Sequence, residues 1–154
     1  MKTIKFIFYF LLIWTLFSFQ SSNLCDPKKL KDDCKPYMES YNYDLSKLAR
    51  FTYKTKPQVK ENELELYYGE KYRFVFNVSD APIPIVISLY NKDKDHKNRK
   101  LLFTTKGEPS DKKFFTFEYT HARRVFIDYE IPADSSNNGG LVQTGCVMLV
   151  LGYK

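Results

Sequence analysis

The chain has 154 residues, 44% of them hydrophobic and 27% charged, with a formal net charge of +6. That length holds one domain, and those fractions exclude a disordered chain. Lys2 and Lys5 fall in the segment read below as a leader, and subtracting them leaves +4, because residues 1–22 contain no acid; so small a surplus excludes a nucleic-acid-binding class.

In chain order, a basic start (Met1-Lys2-Thr3-Ile4-Lys5) precedes an apolar run from Phe6 to Phe19. Its 14 residues match a secretory h-region of about 7–15 and fall short of the ~20 a spanning helix needs. The pattern predicts a signal peptide over residues 1–22, a mature domain over 23–154, and an exported protein, whether periplasmic, at the cell surface or secreted. Cys25 follows the apolar run closely and leaves a lipid anchor open, although Leu24 is bulky where lipoprotein processing wants a small residue. Asp26-Pro27 is a helix start, with Asp as cap and Pro at the first helical position; Lys35-Pro36 ends that short helix.

From about Ser46 the hydrophobic period changes to two, which marks half-buried strands. Ala49, Phe51 and Tyr53 alternate with polar residues, as do Leu64, Leu66 and Tyr68. Gly69-Glu70 reads as a hairpin turn. Tyr72, Phe74, Phe76 and Val78 follow, then Ile85, Ile87 and Leu89, then a short strand at Leu101 and Phe103. Phe115, Phe117 and Tyr119 alternate, and so do Val125, Ile127, Tyr129 and Ile131. Ser135 to Gly140 reads as a surface loop. Cys146 to Leu151 is apolar at every position, which predicts a central strand covered on both faces. About eight strands at this spacing predict an all-β fold, an antiparallel jelly-roll-like β-sandwich with a short N-terminal helical segment.

Lys35-Pro36, Tyr41-Asn42-Tyr43-Asp44, Gly69 to Arg73, Asn98 to Phe103, Asp128 to Pro132, and Gly145 to Val147 with Gly152 to Lys154 resemble a family of small exported bacterial β-sandwich proteins to which no activity is assigned. The resemblance covers most of the mature chain and implies a compartment and a fold type, not a chemistry. The strand layout is also loosely similar to that of pre-peptidase C-terminal domains, which implies little about function.

Candidate sites are few. Asn91, Asp93 and Asp95 stand at alternate positions, the opening of a calcium loop. His96 takes the place of the required Gly, Leu102 that of the bidentate Glu, and Lys92, Lys94 and Lys97 repel a cation; a solvated hairpin is the favoured reading over a weak cation site. His96 and His121 fall in predicted turns, without the ligand spacing of a zinc site. Tyr37, Tyr41 and Tyr43 lie ahead of the first strand, where they either stack on a sugar or peptide or, as favoured, cover one open end of the sandwich. Arg123-Arg124, Lys112-Lys113, Lys97, Arg99 and Lys100 form a basic rim if the loops cluster. Asn77-Val78-Ser79 matches a glycosylation sequon and is read as chance.

Export favours oxidation of the three cysteines. With a helix between Cys25 and Cys34, nine residues at ~1.5 Å each place them roughly 13 Å apart, beyond the roughly 7 Å reach of a disulfide. Cys34–Cys146 is therefore the preferred pair, leaving Cys25 spare, with Cys25–Cys34 as the local alternative. No nucleophile motif, P-loop or dinucleotide glycine pattern occurs. The sequence thus leads to a non-enzymatic binding or accessory module without a cofactor, its partner a glycan, an envelope polymer or another exported protein. A carboxylate-based hydrolase and a structural subunit assembling through sheet edges are the alternatives.

Overall fold

The computed structural model describes residues 24–120, 123–134 and 142–154. The signal segment, His121 and the Ser135–Gly140 loop lie outside them. A helix α1 (Pro27–Asp32) and a 3-10 turn (Lys35–Met38) precede eight strands: β1 (Asn42–Thr52), β2 (Gln58–Glu65), β3 (Tyr72–Asn77), β4 (Val86–Tyr90), β5 (Leu101–Thr104), β6 (Phe114–Tyr119), β7 (Arg124–Ile131) and β8 (Thr144–Tyr153). No helix among the described residues is long and apolar enough to cross a membrane.

The strands form two four-stranded sheets, ordered β1-β8-β3-β6 and β2-β7-β4-β5, with every ladder antiparallel. Among the described residues only β4 and β5 are consecutive strands paired as a hairpin; β3·β6, β2·β7 and β1·β8 nest outside it, and the other consecutive strands belong to different sheets. This is a long hairpin rolled up on itself, the jelly roll. The expected hairpin turn at Gly69-Glu70 is therefore a crossover: β2 belongs to one sheet and β3 to the other.

The inward faces carry the predicted alternation. Phe51, Tyr53, Leu64, Phe74, Phe76, Ile87, Leu89, Val125, Ile127, Tyr129, Leu149 and Leu151 are buried in one cluster between the sheets. Truncating one of these large side chains to Ala costs about 2–5 kcal/mol. Tyr53, which is fully buried, donates its hydroxyl to the Ile83 carbonyl at 2.9 Å, so its polar end is satisfied.

A second buried cluster lies on the outer side of the first sheet. Val75, Cys146, Met148 and Val150 project outward and pack under Cys25, Leu30 and Cys34. The N-terminal segment is thus a cover, which explains why β8 is apolar on both faces. Asp26 caps α1 by accepting the Lys28 and Lys29 N–H groups at 2.9 and 3.3 Å. Asn77, fully buried, donates its side-chain amide to the Leu30 carbonyl at 3.1 Å and accepts from Ser79. That amide is committed to holding α1 on the sheet and is closed to sequon chemistry. At the far end of β8, a Cβ on Gly152 would stand 2.9 Å from the Asn42 carbonyl and 2.2 Å from the Met38 terminal methyl. Glycine there lets the cover cross the strand closely.

Candidate functional site

The cysteines correct the sequence expectation. Cys25 is bonded to Cys146, and Cys34 is free and buried. Asp80 explains the pairing. Its carboxylate accepts the Cys25 N–H at 2.7 Å, while its backbone carbonyl accepts the Cys146 N–H at 3.2 Å, so one residue holds both half-cystines in place. Cys34 lies just beyond the other end of α1, where its thiol donates to the Leu30 carbonyl at 3.3 Å. Burial pushes that thiol up to about 12, which keeps it protonated and unreactive. Cys25, Asp80 and Cys146 bring their ligand atoms within 4.8 Å of one another, but the disulfide leaves no thiolate to offer a metal.

Tyr37, Tyr41 and Tyr43 lie on the covered outer face of the first sheet rather than over an open end, and Tyr43 falls within β1 rather than ahead of it. Tyr37 stacks on Phe114 with ring centres 4.5 Å apart, and its carbonyl accepts from Arg73 at 3.1 Å. Tyr41 is buried between two cations, the Arg73 guanidinium at 4.4 Å and the Lys154 ammonium at 4.5 Å from its ring centre. Tyr43 is exposed, with Lys31 over its ring at 4.0 Å and its hydroxyl 3.2 Å from Ser46 Oγ. Beside them Glu118 takes Lys71 and Arg73 as ion-pair partners, and these two cations lower its carboxyl to about 2. The three rings are engaged by this protein's own groups and form no flat stacking platform.

Asn91, Asp93 and Asp95 are absorbed into the β4–β5 loop. Asn91 Oδ1 accepts the Lys100 N–H at 2.7 Å, and Asp93 Oδ1 accepts the Asp95 N–H at 3.0 Å, so these two oxygens cap the loop's own backbone. Arg99 pins the loop to the outer face of the second sheet. It makes two hydrogen bonds to Asp128, at 2.8 and 2.9 Å, one to Glu61 at 2.9 Å and one to the Lys92 carbonyl at 2.9 Å, with its guanidinium 3.6 Å from the Tyr90 ring centre. The basic rim does not assemble: Lys112 and Lys113 sit in the β5–β6 connection, at the opposite end of the sandwich from Arg123 and the β4–β5 loop. Arg99 is consumed internally, and Arg124 pairs with Glu63 and Glu65.

Two surfaces escape the sequence reading. The first is Tyr67-Tyr68 at the β2–β3 crossover, 77% and 73% exposed. The alternation Leu64, Leu66, Tyr68 places Tyr68 in the core, but β2 ends at Glu65. Gly69 turns the chain at φ +96°, and the buried Tyr72 hydroxyl accepts the Tyr67 N–H at 3.0 Å. Arg123 lies over the Tyr68 ring at 5.7 Å. Two consecutive tyrosines before a glycine are the available signal, since neighbours in a strand cannot both face inward.

The second surface is the rest of the outer face of the second sheet, beyond the pinned loop. Val59, Glu130 and Val86 lie directly opposite one another on β2, β7 and β4. They floor a groove of about 320 Å³, whose walls include Pro57, Pro84 and Pro132. Parity with the inward-facing Leu64 is enough to place Val59 outward.

These features define an eight-stranded jelly-roll β-sandwich with one outer sheet face covered and the other partly open. No family model matches the sequence, and no curated protein is similar to it. Among solved structures, the chain is similar to the Aeromonas hydrophila protein PliG, a periplasmic inhibitor of g-type lysozyme, at 8% identity and a TM-score of 0.47, over 75% of this chain and 90% of that one. It is also similar to a CBM4 structure at 16% identity and a TM-score of 0.39, over 79% of this chain and 83% of that one.

Proposed function

We propose that the protein is an exported, non-enzymatic recognition module that engages its partner through the Tyr67-Tyr68 tip. The observation that carries this reading is the exposure of two adjacent tyrosines on a backbone that turns at Gly69 and is held from beneath by the Tyr72 hydroxyl. Exposed aromatic rings supply large contact area at low entropic cost, which is why tyrosine is enriched in binding surfaces. The partner is a glycan, an envelope polymer or another exported protein, and the disulfide suits an oxidising compartment.

The two alternatives receive less support. A carboxylate hydrolase needs a pair of acids facing substrate, whereas Glu61 and Asp128 both face Arg99. Assembly through sheet edges needs free backbone groups. Along the β1 and β2 edges, Gln58 donates to the Thr52 carbonyl, Lys47 to that of Glu63 and Lys60 to that of Arg50, at 2.8, 3.3 and 3.5 Å.

The test is affinity capture from an envelope extract of the native cells, run in parallel with the tagged protein and with its Tyr67→Ser/Tyr68→Ser variant. Material retained by the first and lost from the second supports the reading. Equal retention by both overturns it.

A further inference from the structure

We propose that the groove around Glu130 is a second recognition site, one that takes a lysine or arginine side chain from a partner protein's segment. It lies at the opposite end of the sandwich from Tyr67-Tyr68 and stands or falls separately from that reading. The geometry carries it in three steps.

The first step is the charge of the face. The outward side chains of β2 and β7 include Glu61, Glu63, Glu65, Asp128 and Glu130. Arg99 and Arg124 are the cations paired with them. The β4–β5 loop that Arg99 pins to this face carries Lys92, Lys94, Lys97 and Lys100, which offset the acids near the loop, whereas Glu130 is the one charged residue that lines the groove. A carboxylate alone among apolar walls attracts a cationic group locally.

The second step is Glu130 itself. Glu61 and Asp128 share Arg99, and Glu63 and Glu65 share Arg124; Glu130 has no ion-pair partner among the described residues. It stands in the middle of a three-strand row between Val59, which is 62% exposed, and Val86. A lysine or arginine combines a charged head for the carboxylate with an aliphatic stem for the two valines.

The third step is the wall. Pro57, Pro84 and Pro132 have no backbone N–H to give. Gln58 and Ile131 complete the lining with two valines and a carboxylate, and the Gln58 amide already donates to the Thr52 carbonyl at 2.8 Å, so the groove is poor in free donors, disfavours anions and suits a group that only donates. It offers a single carboxylate, too few oxygens for a calcium ion, and no aromatic side chain on which a sugar could stack.

The experiment is a nuclear magnetic resonance titration of the ¹⁵N-labelled protein with four capped pentapeptides, Ala-Ala-X-Ala-Ala, where X is Lys, Arg, Met or Glu. The Lys and Arg peptides are expected to shift the Val59, Val86 and Glu130 amides saturably, with little effect from Met or Glu. Glu130→Gln, a change at an exposed position that keeps the fold, should weaken the Lys peptide about tenfold, the worth of a charge-assisted hydrogen bond. Tyr67→Ser/Tyr68→Ser should leave this binding unchanged, which separates the two sites. The proposal is overturned if no peptide shifts these amides, if Met binds as well as Lys, or if Glu130→Gln has no effect. It is also overturned in favour of self-association if the same amides shift with protein concentration alone.

Discussion

Arg99 grips Asp128 through two nearly equal hydrogen bonds, Nη1 to Oδ2 at 2.8 Å and Nη2 to Oδ1 at 2.9 Å. This fork joins the β4–β5 loop to the middle of β7 and keeps a nearly buried carboxylate paired. Removing the cation alone leaves that charge stranded. Arg99→Met is expected to cost about 3 kcal/mol, read as a lower denaturation midpoint with an unchanged slope. Arg99→Met combined with Asp128→Leu should recover most of the loss. A single variant as stable as the parent would show that the loop is held by other contacts.

The disulfide closes a loop with a sequence separation of 121 residues. In the chain-entropy model such a loop contributes roughly 4–5 kcal/mol. Replacing Cys146 by Ala should therefore lower stability by several kcal/mol, while Cys34→Ala, which loses one weak thiol hydrogen bond, should cost about 1–2 kcal/mol. Peptide mapping under non-reducing conditions checks the assignment: a linked Cys25–Cys146 peptide is expected, with Cys34 alkylated only after unfolding.

Glu118 supplies a pH dependence with a definite sign. Lys71 and Arg73 lower its carboxyl from 4.5 to about 2 in the folded state. A depressed carboxyl stabilises the fold above the unfolded value and loses that contribution as pH falls from 4.5 towards 2. Because about a third of the side chain is exposed, screening reduces the effect to about 1 kcal/mol. Glu118→Gln should be less stable than the parent by that amount at pH 6 and indistinguishable from it near pH 2. A difference that is constant across this range would mean that the carboxylate's charge contributes nothing.

Tyr72 holds the tyrosine tip from beneath. Tyr72→Phe keeps the buried ring and removes the acceptor of the Tyr67 N–H. It should cost about 1 kcal/mol and increase fast backbone motion at Tyr67 and Tyr68, measured by ¹⁵N relaxation. By contrast, Tyr67→Ser/Tyr68→Ser should change stability by no more than about 0.5 kcal/mol, since both rings are exposed. A large loss in that double variant would mean that the rings support the fold.

The strand segments and their inward faces were legible in the sequence because alternation is local: successive side chains point to opposite sides whatever the partner strand. Phe74 and Phe76, Ile87 and Leu89, and Val125, Ile127, Tyr129 and Ile131 all lie in the core as their period requires. The helix start at Asp26-Pro27 and the central place of β8 were legible for the same reason, each written in a few consecutive residues. Which strands pair was not, because the pairing of β1 with β8 joins segments about a hundred residues apart; closure of the roll decided it. That closure made Gly69-Glu70 a crossover and left Tyr67 and Tyr68 outside the core. The cysteines show the same division. Spacing along a helix separates Cys25 from Cys34, but only the packing of α1 on the sheet, gripped through Asp80, brings Cys25 rather than Cys34 to Cys146. The open groove is likewise tertiary: Val59, Glu130 and Val86 are far apart in the chain and become one row through the register of three strands.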